Sequence, residues 1–270
     1  MFKKITTFLV ISVCIALISG CVHSKKRHQF VYSKSAGKVL VAGATGRTGR
    51  LVVNKLLDQG YTVRVFVRNQ EKAKKFFADA VEIAVGDVKD TDSIAAAMQD
   101  VRWVISAIGA GGSKGKGNLP EFVDYGGTKN LAEAAVEARV KQFIMVSSRS
   151  AGKKKHFLNE RHNNVLIWKL KGENVLRESP LNATIIRPGG LSDEPGGKSS
   201  IAVFPVGGET KLRRITRADV ATVCVSALNN TDAYNKTLVV LSSPETKQLP
   251  WNQFFKTIPS DDGARLAPND

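Results

Sequence analysis

Cysteine is scarce in this 270-residue chain, and the three cysteines present exclude a disulfide framework. Cys14 lies in an apolar stretch near the N-terminus that has the features of a cleaved signal segment, and Cys21 directly follows it. Cys224 is then the only thiol left in the mature chain, so no disulfide can form within that chain. Because Cys224 lies in an apolar helical run, we expect it to be a small core residue and not a nucleophile.

Sets of metal ligands and nucleic-acid-binding motifs are also lacking. Two of the four histidines, His23 and His28, lie in a polar segment with no third ligand nearby, so we expect no metal site. The formal net charge of +16 raises the question of a nucleic-acid partner. The chain has no aromatic-interleaved basic patch, no helix-turn-helix pattern and no zinc spacing, so we expect it to bind no nucleic acid.

The apolar run near the N-terminus is too short to span a bilayer comfortably. Lys3 and Lys4 precede the run Phe8–Ile18, and Ser19-Gly20-Cys21 follows. Small residues before a cysteine at this position resemble the bacterial lipobox, which implies removal of residues 1–20 and lipid attachment to Cys21. An ordinary signal peptide and an uncleaved anchor are the alternatives.

Residues 21–37 are polar and basic, and they predict a tether between the lipid anchor and the folded domain. Val22, in place of Asp after the cysteine, favours the outer membrane if the host is Gram-negative. We therefore predict an exported, membrane-anchored bacterial lipoprotein that faces the periplasm. The sequence does not indicate an oligomeric state.

Residues 38–260 alternate apolar strands with amphipathic helices, a pattern that predicts a doubly wound, Rossmann-like parallel α/β sheet. Beyond the sixth strand, shorter elements at about 190–215 and 235–260 predict a small C-terminal lid that covers a substrate. They include a short strand over 209–214. Residues 261–270 are polar, and we expect them to be a flexible tail.

A glycine-rich loop follows the first strand and predicts a dinucleotide-binding turn. Gly43 allows a tight turn, Gly46 allows the backbone to approach a pyrophosphate, and Gly49 allows the next helix to pack closely. Thr45, Arg47 and Thr48 lie between these glycines. The helix that starts here points its free N–H groups and its positive dipole end at the phosphates.

The residues after the second strand favour NADP over NAD as the cofactor. NAD enzymes usually place Asp or Glu there, on the ribose hydroxyls, whereas this chain has Arg68. Arg47, in the glycine loop, is a second cation. Two guanidinium groups near the adenine ribose favour a 2′-phosphate.

Several motifs together resemble the atypical short-chain dehydrogenase/reductases of the NAD(P)-binding, NmrA-like kind. The resemblance covers about residues 38–243 and is carried by the glycine loop, Val67-Arg68-Asn69, Gly86-Asp87-Val88, the segment from Val123 to Asn130, Val146-Ser147-Ser148 and the segment from Ile185 to Leu191. It implies a hydride-transfer enzyme. By the same resemblance, the adenine is expected at Asp87 and Val88, the nicotinamide ribose at Ala107, Ile108 and Gly109, and the nicotinamide near Ser147, Ser148, Pro188 and Gly189.

The catalytic pair of this enzyme class is incomplete in the sequence. Typical members carry Tyr-x-x-x-Lys, in which the lysine lowers the tyrosine pKa and holds the ribose. Lys169 occupies the lysine position, but Val165 stands where the tyrosine would be and cannot transfer a proton. We expect Lys169 to bind the ribose and Ser148 to position a carbonyl.

Three functions remain open from the sequence. The first is an NADP-dependent oxidoreductase that transfers hydride to a small carbonyl, quinone or flavin-like acceptor. The second is a non-catalytic NADP(H)-binding or sensing protein, which Val165 favours. The third is a membrane-tethered interaction protein, which the export signal favours.

Overall fold

The computed structural model describes residues 37–111, 116–208, 210–245, 247–261 and 263–269. The predicted signal segment, Cys21 and all but the last residue of the predicted tether lie outside the described residues. Within the described ranges, no helix is both long enough and apolar enough to cross a bilayer.

Strands and helices alternate through the first two thirds of the described chain. The strands are β1 Lys38–Ala42, β2 Thr62–Val67, β3 Glu82–Val85, β4 Val101–Ser106, β5 Gln142–Val146, β6 Ala183–Pro188, β7 Gly190–Ser192, β8 Ser200–Phe204, β9 Arg214–Thr216 and β10 Lys236–Ser243. The α-helices are α1 Arg47–Asp58, α2 Gln70–Phe77, α3 Thr91–Ala97, α4 Thr128–Glu137, α5 Phe157–Arg161, α6 Val165–Glu178, α7 Arg217–Ala227 and α8 Trp251–Phe254.

Eight strands form one sheet in the order β3-β2-β1-β4-β5-β6-β10-β8. All neighbours in it are parallel except β8, which is antiparallel to β10 at the edge. The strand order reverses beside β1, which pairs with β2 on one side and β4 on the other. In such sheets a crevice opens outside the carboxyl ends of the strands at this reversal, so ligands bind there.

Both faces of the sheet are covered, because side chains of one strand alternate between two cores. Val39 and Val41 of β1 belong to the core that includes α1 and α7. Leu40 and Ala42 belong to the opposite core, with α3, α4 and α6. Cys224 of α7 is fully buried, which confirms its prediction as a core residue, and burial raises the pKa of its thiol to about 12.

The predicted C-terminal lid is corrected by the positions of its strands. β10, within the predicted lid element 235–260, pairs with β6 inside the main sheet, and β8 joins it there. Five consecutive residues of β10 are buried, as expected for a strand covered on both faces. Only β7 and β9 form a separate two-stranded sheet.

One element boundary also differs from prediction. The strand predicted over 209–214 is found as β9, Arg214–Thr216, because it is these three residues that pair with β7. Before β9, the backbone carbonyls of Thr210 and Leu212 accept side-chain hydrogen bonds from arginines. On the other side of the sheet, a π-helical segment, Glu121–Gly127, continues into α4.

The described part of the predicted flexible tail is attached to the domain. The Asp261 carboxylate accepts hydrogen bonds from the backbone N–H and the hydroxyl of Thr237. Asn174 bonds both ways with the backbone of Leu266, and the Lys154 N–H donates to the Asn269 carbonyl. Asp261 and Leu266 of the tail therefore satisfy buried polar groups of Thr237 and Asn174. The polar composition of the tail does not predict this attachment.

Candidate functional site

The glycine loop between β1 and α1 has a geometry that side chains at its key positions would obstruct. Gly43 has φ of +77°, and a Cβ there would lie 2.6 Å from the Ala107 carbonyl oxygen. A Cβ on Gly49 would overlap the Gly43 backbone. The loop closes through a 3.0 Å hydrogen bond from the Gly46 N–H to the Gly43 carbonyl. The three glycines therefore allow α1 to begin directly against the end of β1.

The N-terminus of α1 is suited to an anion. Gly46 caps the helix without a side-chain hydrogen bond, and its first turn contains no acidic residue. The first backbone N–H groups of a helix have no partner within the helix, and its dipole favours negative charge there. This end of α1 can therefore hold a pyrophosphate. The glycine loop and the N-terminus of α1 therefore fit the pyrophosphate of a dinucleotide cofactor.

A cleft begins at this loop and follows the carboxyl ends of β1, β2, β3 and β4. Nine of the predicted cofactor residues line it: Gly43, Thr45, Gly46, Arg68, Asp87, Val88, Ala107, Ile108 and Gly109. Its lining also includes residues that sequence reasoning did not select, namely Phe66, Val67, Lys72, Gly86, Ala110, Asn118 and Val123. The structure thus brings four separate segments of the sequence together, namely the glycine loop, Arg68, Asp87-Val88 and Ala107–Gly109.

Two cations lie at the β2 end of this cleft. Arg68 follows β2 and donates a 2.7 Å hydrogen bond to Asn118 Oδ1. Lys72 lies in the first turn of α2, which Asn69 caps by accepting from the Lys72 N–H at 2.8 Å. Among the described lining residues on this side, Asp87 is the one carboxylate, and it accepts from the Lys89 N–H and pairs with the Lys89 ammonium at 3.6 Å. The β2 end therefore offers positive charge to a ligand.

Arg47, predicted as the second cation of the 2′-phosphate site, is placed elsewhere. Its Nη1 pairs with Asp193 Oδ2 at 2.8 Å, and the other Asp193 oxygen pairs with Arg217 at 2.8 Å. Arg47, Thr48 and Gly49 do not line the cleft, although their backbone forms the first turn of α1. Lys72 supplies the second cation at the β2 end, and its spacing of four residues from Arg68 is the signal that could have identified it.

Lys169, on α6, lies beside the cleft, next to Gly109, and is held by a buried carboxylate. Its Nζ is 2.7 Å from Oδ1 of Asp124, which is fully buried in the π-helical segment. The second Asp124 oxygen accepts from the Ala110 N–H at 2.9 Å. A Cβ on Gly109 would lie 3.8 Å from Lys169 Nζ, so this ammonium borders the cleft. Asp124 belongs to a motif already noted, but its role as the partner of Lys169 was not anticipated.

No hydroxyl occupies the position of the usual catalytic tyrosine. Val165 is the first residue of α6, one turn before Lys169. Tyr125 stacks on Trp168, with ring centroids 5.9 Å apart and an angle of 29° between the planes. The aromatic ring of Tyr125 is thus packed against α6.

Ser147 and Ser148 both form hydrogen bonds within the chain, Ser147 as a donor and Ser148 as an acceptor. The buried Ser147 hydroxyl donates to Glu173, and Ser148 Oγ accepts from the Ser150 N–H at 3.3 Å. Pro188 and Gly189 lie at the end of β6, and none of these four residues lines the cleft. All four lie at the carboxyl ends of β5 and β6, on the same edge of the sheet as the cleft but outside its lining.

Glu173, which accepts from Ser147, is the centre of a buried ionic cluster. Its carboxylate pairs with Arg187 and, at 2.9 Å, with Arg177. Burial opposes its ionisation, but the charges and hydrogen bonds of both guanidinium groups hold the pKa of Glu173 below its ordinary value. The Glu173 carboxylate is therefore paired within the fold and is not available to a ligand. No cluster of metal-ligating side chains occurs in the described ranges.

Comparison with known proteins agrees with this architecture. A model of the NAD(P)H-binding family matches residues 43–231. An uncharacterised chloroplastic protein of Arabidopsis thaliana is 38% identical over 237 residues, which cover 80% of this chain and 73% of that protein. The sanguinarine reductase of Eschscholzia californica is 33% identical over 245 residues, which cover 77% of this chain and 89% of the reductase.

A solved structure confirms the predicted fold class. The putative NAD-dependent epimerase/dehydratase from Bacillus halodurans superposes with a TM-score of 0.71 at 28% identity. The match covers 82% of this chain and 99% of that one. The Rossmann-like doubly wound sheet is therefore confirmed by topology and by structural similarity.

The comparison also corrects the predicted localisation. Several relatives, the Arabidopsis protein among them, have names that place them in the chloroplast, and they contradict an exported bacterial lipoprotein lipidated at Cys21. A basic start followed by a short apolar run is common to several kinds of targeting segment. Ser19-Gly20-Cys21 is too short a signal to choose among them.

Proposed function

The chain belongs to the NAD(P)H-binding family, and from this premise we propose that it is an NADP(H)-dependent oxidoreductase that reduces a small quinone, flavin-like or carbonyl acceptor. The observation that carries the choice of cofactor is the pair Arg68 and Lys72 at the β2 end of the cleft. A guanidinium and an ammonium are suited to a 2′-phosphate, whereas the acidic residue typical of NAD sites would repel it.

Each part of the cleft has a distinct task in this proposal. The first turn of α1 holds the pyrophosphate, and Arg68 and Lys72 hold the 2′-phosphate. Lys169, fixed by Asp124, holds the nicotinamide ribose beside Gly109. When bound, the cofactor supplies a hydride, which carries two electrons and one proton to the acceptor.

Val165 favours quinone and flavin-like acceptors over simple ketones. Hydride transfer to a ketone leaves an alkoxide oxygen, which is a strong base because an alcohol is a very weak acid, so it needs a proton donor at the site. Reduction of a quinone leaves a phenol-like oxygen with a pKa of about 10, a much weaker base that can take its proton from solvent. The name of the Eschscholzia relative, a reductase, is consistent with reductive chemistry.

A non-catalytic NADP(H)-binding or sensing protein is the second candidate. Val165 favours it, because it places no hydroxyl at the tyrosine position, and the Ser147 hydroxyl donates to the buried Glu173 and not to a ligand.

Two measurements on the full chain test the proposal. In the first, NADPH and NADH are titrated separately, and we expect saturable binding with a preference for NADPH. In the second, NADPH oxidation is followed with a quinone, a flavin and an aliphatic ketone, and we expect turnover with the first two. Binding without turnover for any acceptor would support the sensor, and no binding at millimolar cofactor would contradict both candidates.

A further inference from the structure

A second cavity, which we call the basic pocket, lies near the carboxyl ends of β5 and β6 and has a volume of about 610 Å³. Five cationic side chains line it: Arg149, Lys153, Arg187, Lys211 and Arg213. Among its described lining residues there is no aspartate or glutamate. Its size lies within the range of small-molecule sites, and its chemistry differs from that of the dinucleotide cleft.

Among the described residues, one of the five cations has a carboxylate partner. Arg187 pairs with the buried Glu173. Arg149 and Arg213 instead donate to the same two backbone carbonyls: Arg149 Nη1 donates to Leu212 at 2.6 Å, and Arg213 Nη1 donates to Thr210 at 2.6 Å and to Leu212 at 3.2 Å. Neither forms an ion pair with a carboxylate of the described residues. Two like charges are thus fixed close together without a counter-charge.

Arg149 carries its charge in a partly buried position beside the charge of Arg213, and both conditions disfavour a guanidinium cation. Its side chain is half-buried, and its Nη2 reaches the Thr210 carbonyl at 3.5 Å. Burial, together with the charge of Arg213, lowers the pKa of the Arg149 guanidinium. A guanidinium has five N–H donors, so the backbone carbonyls leave donors of both arginines available. A bound anion would relieve the repulsion and accept these hydrogen bonds.

The basic pocket is attached to the segments that the family resemblance places near the nicotinamide. The Arg149 N–H donates to the Pro188 carbonyl at 2.9 Å, and the Gly190 N–H donates to the Arg213 carbonyl at 2.8 Å. Arg149 also directly follows Ser148 in the chain. An anion held by Arg149 and Arg213 would therefore belong to a molecule near the reacting end of the cofactor.

We propose that the basic pocket binds the anionic group, a carboxylate or a chemically similar oxyanion, of the organic acceptor that the enzyme reduces. Arg149 and Arg213 are its main ligands, and Lys153 and Lys211 add longer-range attraction at the rim. This proposal rests on the oxidoreductase function and narrows its substrates to anionic molecules. Arginine forks match the planar geometry of carboxylates and bind other oxyanions in the same way.

The test compares a neutral naphthoquinone with its sulfonated, anionic counterpart. Both are titrated into the full chain without cofactor and then used as acceptors with NADPH. The variants are Arg149→Gln and Arg213→Gln, and Lys198→Gln, an exposed lysine that does not line the basic pocket, is the matched control for the lost charge. Arg213 is exposed, so its replacement leaves the fold intact even if Arg149→Gln does not fold.

We expect each arginine variant to weaken binding of the sulfonated quinone about 10- to 100-fold relative to the neutral one, whereas Lys198→Gln leaves that ratio unchanged. In turnover, the loss appears in KM. An equal loss in the control, or no loss in either arginine variant, would overturn the proposal. Inorganic phosphate that binds as tightly as the sulfonated quinone would also overturn it, since the pocket would then be a site for free phosphate.

The experiment distinguishes failure of the oxidoreductase proposal from failure of the basic-pocket proposal. NADPH is titrated into the same four proteins, and we expect equal affinity in all of them. If NADPH does not bind, the oxidoreductase proposal fails, but the cofactor-free titration still decides whether the pocket selects organic anions.

Discussion

The two ends of the candidate site use their charges in opposite ways. At the β2 end, Arg68 and Lys72 border the cleft without a carboxylate partner among the described residues. At the β5 and β6 end, Lys169 is paired with Asp124, and Arg187 is paired with Glu173. The first arrangement leaves charge for a ligand, and the second stabilises the positions of side chains. Arg149 and Arg213 are the exception at the second end, which is why we assign them to substrate.

The largest effect expected from this comparison follows removal of the buried carboxylate at the second end. Glu173→Ala leaves Arg187 buried without its carboxylate partner and leaves Arg177 with Asp261 alone at 3.5 Å, so we expect the free energy of unfolding to fall by about 3–5 kcal/mol. Urea denaturation followed by circular dichroism measures it. The control is Glu178→Ala on the same helix, which removes an exposed pairing with Arg265 and is expected to cost less than about 1 kcal/mol.

The same carboxylate predicts a dependence of stability on pH. The folded-state pKa of Glu173 lies below its ordinary value of 4.5, so its stabilising contribution is present above that value and is lost as the pH falls through the folded pKa. We therefore expect the wild-type chain to lose stability on acidification below about pH 4.5. Glu173→Gln should reduce this slope, and equal slopes in the two proteins would contradict the assignment.

An intermediate effect is expected at the glycine loop. Gly43→Ala forces a side chain into a positive-φ position and against the Ala107 carbonyl, so we expect a loss of roughly 2–3 kcal/mol in stability together with weaker NADPH binding. Gly60 has a similar φ of +80° but open space around it. Gly60→Ala should therefore cost only about 1–2 kcal/mol and leave NADPH affinity unchanged. If Gly43→Ala and Gly60→Ala changed NADPH affinity equally, the result would contradict the assignment of the glycine loop to the binding site.

The smallest effect is expected at Arg47. Its exposed ion pair with Asp193 contributes about 0–1 kcal/mol, and its side chain does not line the cleft. Arg47→Gln should change NADPH affinity by less than about threefold, as measured by fluorescence titration. If Arg47→Gln lost as much NADPH affinity as Arg68→Gln, Arg47 would have to be a ligand of the 2′-phosphate.

The parts of the fold that the sequence predicts well are those governed by local patterns. Val39 and Val41 alternate with Leu40 and Ala42 on β1, and the glycine spacing marks the turn that follows, because both depend on residues close together in the chain. The neighbours of a strand are not local. The pairing of β10 with β6 joins segments about fifty residues apart. Because local patterns do not indicate such a pairing, the sequence predicts a lid where β10 joins the sheet.

The candidate site shows the same division. Gly43, Thr45, Gly46 and Arg68 could be selected from motifs, and they meet in one cleft. The partners of the charged residues could not, because nothing in the spacing indicates that Asp124 reaches Lys169 or that Asp193 reaches Arg47. The first 36 residues illustrate a further limit, since a short targeting signal carries too few residues to identify a compartment.

The central claim is that charges at the β2 end select NADP, and the ratio of the dissociation constants for NADH and NADPH tests it most directly. The ratio is measured by titration in the wild type, in Arg68→Gln, in Lys72→Gln and in Lys75→Gln, a control on α2 that does not line the cleft. We predict a preference for NADPH that falls about 10- to 100-fold in the first two variants, through weaker NADPH binding alone, and stays unchanged in the third. A wild-type preference for NADH, or an unchanged ratio in both cleft variants, would contradict the claim.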